Sequence, residues 1–251
     1  MVAITGLDEY TESINMLVYA DPGAGKTVLG GTSNGLMIAT EPGSISAKRH
    51  GSKAKLAQCE TWPDFVEILQ RLRNGSLRPP WVVIDTLTGL QSLVLQGILD
   101  ERDPESKGKM PDEIPMMQDH QVWQSRFKNA VNALNGINSN VLYLCHTMAD
   151  EDDDGNKIIL PMIYGKNGTP DPTTMCRWVC STVHLYGYLA VKMDDEGNEH
   201  RKFIARRFGP YFGKDRYGVI PPKGMAEPTI PKIDRLITEA APRPDKKESN
   251  A

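Results

Sequence analysis

The sequence has few cysteines and no long apolar run, and each shortage excludes a class of protein. Its 251 residues include four cysteines, which lack the close pairing of zinc sites. We expect them to be reduced thiols in the core. No apolar stretch approaches the roughly 20 residues that span a bilayer. The first residues, MVAITGLDEYTES, show no basic region followed by an apolar core. We therefore expect a cytoplasmic protein without a membrane partner.

An excess of basic residues is also missing. The formal net charge is −3, whereas a general nucleic-acid-binding protein would be strongly basic. Any nucleic acid would have to bind to local loops, or to a surface assembled from several copies. With 39% hydrophobic and 24% charged residues, the composition is that of a globular protein.

Short apolar segments alternate with amphipathic ones along the chain. The segments INMLVYA, GLMIAT, WVVIDT and NVLYLCH indicate buried strands at 14–20, 35–40, 81–86 and 140–146. Helices are predicted between them, one beginning after Thr61 as N-cap and another with an apolar stripe of Val122, Phe127, Val131 and Leu134. This alternation predicts an α/β fold with a mostly parallel sheet that is flanked by helices.

The pattern changes in the second half of the chain. VHLYGYLAVKMDDEGNEHRKFIARRF predicts an antiparallel hairpin extension with its turn at 195–198. Residues 101–117 and 147–175 are long and irregular, which is typical of functional loops. We expect one domain over 1–240 and a disordered tail over 241–251.

A glycine-rich turn follows the first strand. It reads ADPGAGKT and fits the P-loop pattern G-x-x-x-x-G-K-[ST], except that Ala20 replaces the first glycine. Glycines let backbone N–H groups close around phosphates. Lys26 can reach the β- and γ-phosphates, and the Thr27 hydroxyl can bind Mg²⁺. The motif predicts ATP and Mg²⁺ as ligands. The predicted nucleotide-binding residues are Asp21, Pro22, Gly23, Ala24, Gly25, Lys26, Thr27 and Val28.

A P-loop needs a second carboxylate for Mg²⁺ at the end of a buried strand. Asp85 ends the apolar run WVVIDT and is our choice. Asp194 is the alternative, but Lys192 interrupts its run, so we expect Asp194 in a solvated turn. The acidic run at 150–155 fits the first half of an EF-hand loop. Its twelfth position would be Pro161 where a Glu is required, so we interpret this run as a solvated turn too.

Hydrolysis also needs a group that orients water near the γ-phosphate. Glu41 lies just past the second strand, at the carboxyl edge where open α/β sheets bind ligands. His146 ends the fourth strand at the same edge. We predict that Glu41 is the general base and that His146 contacts the γ-phosphate and reports it to the following loop. A structural role is the alternative for His146.

These motifs together resemble the RecA-core ATPases, and most of all the phage-encoded RecA-like ATPases of the Sak type, over roughly residues 12 to 220. ATEPG is similar to the strand-end Glu of RecA and RadA proteins, VVIDTLTGL to a Walker B strand, and LYLCH to a sensor strand. GKDRYG is similar to the Lys-x-Arg-x-Gly of RecA-like motors. This last likeness implies that Lys214 and Arg216 are catalytic residues that act on the ATP of a neighbouring subunit.

The resemblance carries further expectations. It implies that the sensor strand lies between the P-loop and Walker B strands, and that the two long loops line a path for single-stranded DNA. The candidate phosphate contacts are Lys107, Lys109, Lys157, Lys166 and Arg177. It also implies a homo-oligomer (a ring or short filament), possible contact with a single-strand DNA-binding protein, and the bacterial host cytoplasm if the gene is carried by a phage.

Sak-type ATPases are associated with single-strand annealing and recombination. The leading function is therefore an ATP-hydrolysing phage DNA recombination or repair protein that acts on single-stranded DNA. Three alternatives stay open: a small ring helicase or translocase, a structure-specific DNA-processing protein, and an annealing factor in which ATP switches assembly with negligible turnover. A small-metabolite kinase is disfavoured because the chain lacks an Arg-rich lid.

Overall fold

Four apolar segments form the centre of a mixed β-sheet in the computed structural model, which describes residues 13–102, 114–165 and 168–240. The central strands are buried along nearly their whole length. The strands are β1 (Asn15–Tyr19), β2 (Leu36–Ala39), β3 (Lys55–Gln58), β4 (Trp81–Asp85), β5 (Asn140–Cys145), β6 (Thr147–Glu151), β7 (Lys157–Pro161), β8 (Leu185–Met193), β9 (Glu199–Ile204), β10 (Lys214–Asp215) and β11 (Met225–Ala226).

Helices cover both faces of this sheet. They are α1 (Lys26–Gly31), α2 (Ile45–Arg49), α3 (Trp62–Arg73), α4 (Leu87–Asp100), α5 (Met117–Asn135), α6 (Met175–Thr182) and α7 (Ile230–Glu239). Side chains alternate between the faces of each strand. In β1, Leu17 packs with Leu90 and Phe127 of α4 and α5, whereas Val18 packs with Leu29 of α1 on the opposite face.

The strand order brings four strand ends to one edge. It runs β11-β9-β8-β1-β5-β4-β2-β3, with β10 also paired to β8. From β8 to β3 the neighbouring strands are parallel, and β8, β9 and β11 continue as antiparallel partners. β5 lies between β1 and β4, which confirms the expected place of the sensor strand. The α/β fold, its mostly parallel sheet and the C-terminal antiparallel hairpin are thus as predicted.

The predicted start of α3 is also confirmed. Thr61 caps α3, and its side chain and that of Asp64 form a reciprocal capping box. The four cysteines are buried free thiols, as expected. Within the described ranges, no helix is long and apolar enough to cross a membrane.

Two expectations about this part of the chain were wrong. Val122 is 48% exposed, and its neighbour Trp123 is buried instead at 3%. The buried face of α5 therefore runs through Trp123, Phe127, Val131 and Leu134, about one residue's rotation from Val122. Residues 147–175 are not irregular throughout, because β6 and β7 pair as an antiparallel hairpin. The tail at 241–251 lies outside the described residues, and the division at 240 stays a prediction.

Candidate active site

The P-loop lies between β1 and α1. Gly23 and Gly25 have φ of 81° and 91°, a left-handed conformation that glycine adopts without strain. Gly25 is the N-cap of α1. Ala20, which replaces the usual first glycine, is fully buried in the core. The methyl group of Ala20 is therefore accommodated at the end of the strand.

Lys26 is the buried cation of this loop. Its Nζ donates to the carbonyl oxygens of Ala20 at 2.8 Å and Asp21 at 3.0 Å. Burial lowers the pKa of Lys26, while the nearby carboxylates, Asp85 among them, act in the opposite direction. Phosphate oxygens can replace these two carbonyl groups as partners of the ammonium group.

Thr27 and Asp85 provide oxygen atoms for a divalent cation. Asp85 is the buried last residue of β4, and its carboxylate is hydrogen-bonded to the side chain of Thr27. Burial raises the pKa of Asp85, and the bond from Thr27 and the charge of Lys26 oppose this effect. A hydroxyl and one carboxylate fit Mg²⁺, which keeps several water ligands and takes others from phosphates.

Glu41 faces the same cavity and is bonded at both carboxylate oxygens. Its Oε1 accepts from Thr86 Oγ1 at 2.8 Å, and its Oε2 accepts from His146 Nε2 at 3.1 Å. The bond from His146 is the main cause that lowers the pKa of Glu41, the bond from Thr86 adds to it, and burial opposes it. Glu41 is therefore ionised at neutral pH, as a general base must be.

Thr86 is a site residue for which the sequence predicted no role, although it lies in the segment WVVIDT. Its Oγ1 accepts from Gly89 N at 3.0 Å and so caps α4, while the same hydroxyl donates to Glu41. Thr40 fixes Thr86 from the other side, because Thr40 Oγ1 accepts from Thr86 N and donates to Thr86 O. The available signal was a Thr directly after the strand-end Asp.

These residues enclose one cavity of about 360 Å³, within the size range of small-ligand sites. The structure therefore brings together the predicted P-loop, metal, general-base and sensor residues. The predicted residues that line the cavity are Pro22, Gly23, Gly25, Lys26, Thr27, Val28, Glu41, Asp85 and His146. Arg201 of β9 lines it too, and no sequence signal pointed to Arg201.

Asp21 connects the P-loop to two further segments. Its Oδ1 accepts from Thr147 Oγ1 at 2.5 Å, and its Oδ2 accepts from Tyr188 OH at 3.0 Å. Thr147 is the first residue of β6 and directly follows His146. The loop that holds phosphate and the strand end that carries His146 are therefore both attached to the start of the β6–β7 hairpin.

The residues predicted to act between subunits lie elsewhere. Lys214 Nζ donates to the carbonyl of Cys180 at 2.7 Å, and Arg216 Nη2 to that of Ser181 at 3.5 Å, both near the C-terminus of α6. They share a face, as their spacing predicts. Asp215 turns away from it and accepts from the backbone N–H of Tyr217 and Ile220. Neither cation lines the P-loop cavity of its own chain.

Two of the candidate DNA contacts, Lys157 and Arg177, lie on described elements, in β7 and α6. Lys157 pairs with Glu151 across the β6–β7 hairpin. Arg177 lines a second cavity of about 580 Å³, whose rim includes the acidic residues 150–154. Lys107, Lys109 and Lys166 lie outside the described residues. Asp194 closes the turn of the β8–β9 hairpin, where its carboxylate accepts from the backbone N–H of Glu196 and Asn198.

Comparison with known proteins supplies the family. One solved structure with a similar fold is the flagellar accessory protein FlaH from Methanocaldococcus jannaschii. The two are 9% identical, the match covers 87% of this chain and 91% of that chain, and its TM-score is 0.38, too low to support an argument. No curated protein matches this sequence. A family model described as "AAA domain" matches residues 12–217. Because that range holds every residue of the cavity, we conclude that this chain belongs to the AAA domain family and is a P-loop ATPase.

Proposed function

We propose that this ATPase is a phage DNA recombination or repair protein that acts on single-stranded DNA by annealing or strand exchange. One observation carries the proposal. The general base Glu41 is bonded to His146, and the next residue, Thr147, begins the β6–β7 hairpin while it also bonds Asp21 of the P-loop. A change at the γ-phosphate can therefore be transmitted to a surface hairpin.

The hydrolytic step follows from the cavity. The ionised Glu41 can take a proton from a water molecule that attacks the γ-phosphate, and such assistance is typically worth about 10²–10⁴-fold in rate. Lys26 stabilises the charge on the phosphate oxygens. Thr27, with Asp85 acting through water, would hold Mg²⁺, which supplies further neutralisation of phosphate charge. His146 keeps Glu41 in place and ionised.

The hairpin can report this chemistry because it begins at the site. Loss of the γ-phosphate alters the partners available to Glu41 and His146, and Thr147 has to follow His146 along the chain. The far end of the hairpin carries Lys157 and the acidic residues 150–154. In a chain of net charge −3, we expect the DNA path to be assembled from several copies of this surface, so that nucleotide-dependent assembly and DNA binding accompany each other.

ATP turnover, measured with and without single-stranded DNA, tests the proposal. Wild type should hydrolyse ATP faster with DNA. Glu41→Gln should bind ATP normally and lose about 10²–10⁴-fold in turnover, and Lys26→Ala should lose binding. Glu60→Gln is the matched control, because Glu60 is exposed and does not line the cavity. DNA affinity should fall with salt, and should fall further in a Lys157→Ala/Arg177→Ala variant.

The possible failures are distinct. Normal turnover in Glu41→Gln would move the general base elsewhere. If single-stranded DNA neither binds to the protein nor changes its ATP turnover, the recombination role is rejected and the ATPase assignment stands. DNA binding that depends on ATP, with no measurable turnover in wild type, would favour the annealing factor in which ATP only switches assembly.

A further inference from the structure

Arg201 of β9 lies directly on the P-loop, although it is far from it in sequence. Its Nε donates to the carbonyl of Ala24 at 3.1 Å, across a separation of 177 residues. A Cβ atom added to Gly25 would lie 2.7 Å from Nε and 3.3 Å from Cζ of Arg201. The guanidinium group therefore covers Gly25, the residue from which the phosphate-binding turn enters α1.

The sheet order places Arg201 opposite the hydrolytic residues. Glu41 and His146 follow β2 and β5, and Asp85 is the last residue of β4. These three strands lie on one side of β1. Arg201 belongs to β9, which lies on the other side of β1, beyond β8. A nucleotide whose γ-phosphate lies at Glu41 has to extend across the P-loop, so its α-phosphate end points toward β8 and β9.

Glu199 of the same strand holds the Arg201 side chain in this position, and Glu227, which follows β11, holds its backbone. Arg201 Nη2 donates to Glu199 Oε2 at 2.5 Å, and its backbone N donates to Glu227 Oε1 at 3.1 Å. The side chain is 27% exposed. The contacts to Ala24 and Glu199 use two of the five N–H groups of a guanidinium, whose fork geometry suits phosphate oxygens. Arg201 is thus a cation oriented along the cavity wall.

We infer that Arg201 binds the α-phosphate end of the nucleotide in its own subunit and so connects the bound nucleotide to the β8–β9 hairpin. The inference rests on nucleotide binding at the P-loop, as the proposed function does. The inference gives Arg201 and Arg216 different roles. Arg201 acts within the chain on phosphates that ATP and ADP share, whereas Arg216 is predicted to act on the γ-phosphate of a neighbour.

Dissociation constants for Mg²⁺–ATP and Mg²⁺–ADP, measured by titration calorimetry, test this assignment. Arg201→Met keeps the length of the side chain without its charge, and Arg201→Lys restores the charge. Arg201→Met should raise both constants equally, by about 10- to 100-fold, as expected for the loss of a charge-assisted hydrogen bond. Both dissociation constants of Arg201→Lys should lie between those of Arg201→Met and those of the wild type.

Lys202→Ala is the matched control on the same strand. Its side chain points to the opposite face, toward Gly224, so both constants should stay at the wild-type value. ADP binding by Arg201→Met within about twofold of wild type would overturn the inference, and so would equal ADP affinities of Arg201→Met and Arg201→Lys. Unchanged ADP binding by Lys26→Ala would instead reject the P-loop as the nucleotide site, and with it the proposed function.

Discussion

Glu41 has a hydrogen-bond partner at each carboxylate oxygen, and the two partners come from different strand ends. Thr86 follows β4 and His146 follows β5. Two donors fix the rotation of the carboxylate and favour its ionised form. The position of a general base matters because a displacement of about 1 Å can cost about 10²-fold in rate. Thr86 should therefore contribute to turnover without contacting ATP.

Thr86→Val tests this role, because valine has the same shape without the hydroxyl. We expect ATP to bind and turnover to fall by about 10- to 100-fold. The α4 cap is also lost, at about 0.5–2 kcal/mol of stability. Thr86→Ser should retain both functions. Steady-state kinetics and thermal unfolding measure the two effects.

Thr61→Val provides the control for the cap. Thr61 caps α3 in a similar way but lies away from the cavity, so this variant should lose comparable stability and keep its turnover. If Thr86→Val also keeps wild-type turnover, Thr86 serves only as a helix cap.

At the scale of elements, the turn of the β8–β9 hairpin is closed by a histidine between two carboxylates. His200 Nε2 donates to Asp194 Oδ2 at 3.0 Å, and its Nδ1 donates to Glu227 Oε1 at 3.3 Å. The bond to Asp194 is the main cause that raises the pKa of His200, and the bond to Glu227 adds to it. Hydrogen bonds from Asn198 and His200 hold the pKa of Asp194 below its usual range.

These shifts have opposite consequences along the pH scale. The raised pKa of His200 means that its contribution is complete below the ordinary histidine pKa of about 6.5 and is lost as pH rises through the raised value. The lowered pKa of Asp194 means that its contribution is present above about 3.9 and is lost in acid. The turn should therefore be held most firmly between these two limits.

Proton NMR titration of His200 checks this account. Its midpoint should lie above about 6.5 in the wild type, and Asp194→Asn should lower it. Glu196→Gln is the control in the same turn, because Glu196 bonds Asn198 and not His200. An unchanged midpoint in Asp194→Asn would show that the ion pair does not form in solution.

At the scale of the whole molecule, the residues predicted to act on a neighbour's ATP lie outside the P-loop cavity of their own chain. Lys214 and Arg216 contact carbonyl groups near the end of α6, beside the pairing of β10 with the start of β8. A neighbour that docks there could exchange those carbonyl partners for its own ATP. Each interface would then take its P-loop from one subunit and its cations from the other.

Subunit mixing tests this arrangement. Lys26→Ala alone and Arg216→Ala alone should be nearly inactive. Lys26→Ala lacks the P-loop cation, and an arginine finger, which is an arginine supplied to the site by a neighbouring subunit, is worth about 10³–10⁵ in rate. An equal mixture should recover about a quarter of wild-type turnover, because one random interface in four joins an intact P-loop to an intact finger. Native mass spectrometry confirms that mixed oligomers form.

The control mixture combines Lys26→Ala with Glu41→Gln. Both changes damage the same half of the interface, so no pairing restores a complete site and turnover should stay low. Mixed oligomers of Lys26→Ala and Arg216→Ala that remain inactive at every ratio would reject a finger that acts between subunits.

The sequence by itself determined the P-loop, the central strands and the convergence of Glu41, Asp85 and His146. The physical reason is that each lies at the carboxyl end of a short apolar strand, and parallel strands end at a common edge. Adjacent residues likewise set the cap of Thr61. The predicted apolar stripe of α5 was wrong at Val122. Val122 and Trp123 are adjacent apolar residues that cannot both face the core, and the larger side chain of Trp123 is the one that is buried.

Tertiary structure alone decided the β6–β7 hairpin and the place of Arg201. The hairpin strands pair with each other outside the main sheet. Because they are not buried on both faces, they mix acidic and apolar residues and lack the continuous apolar run that predicts a central strand. Arg201 reaches Ala24 across 177 residues, only because β9 pairs with β8 and β8 with β1. No local pattern encodes a contact of that kind, since it depends on strand pairings made elsewhere in the chain.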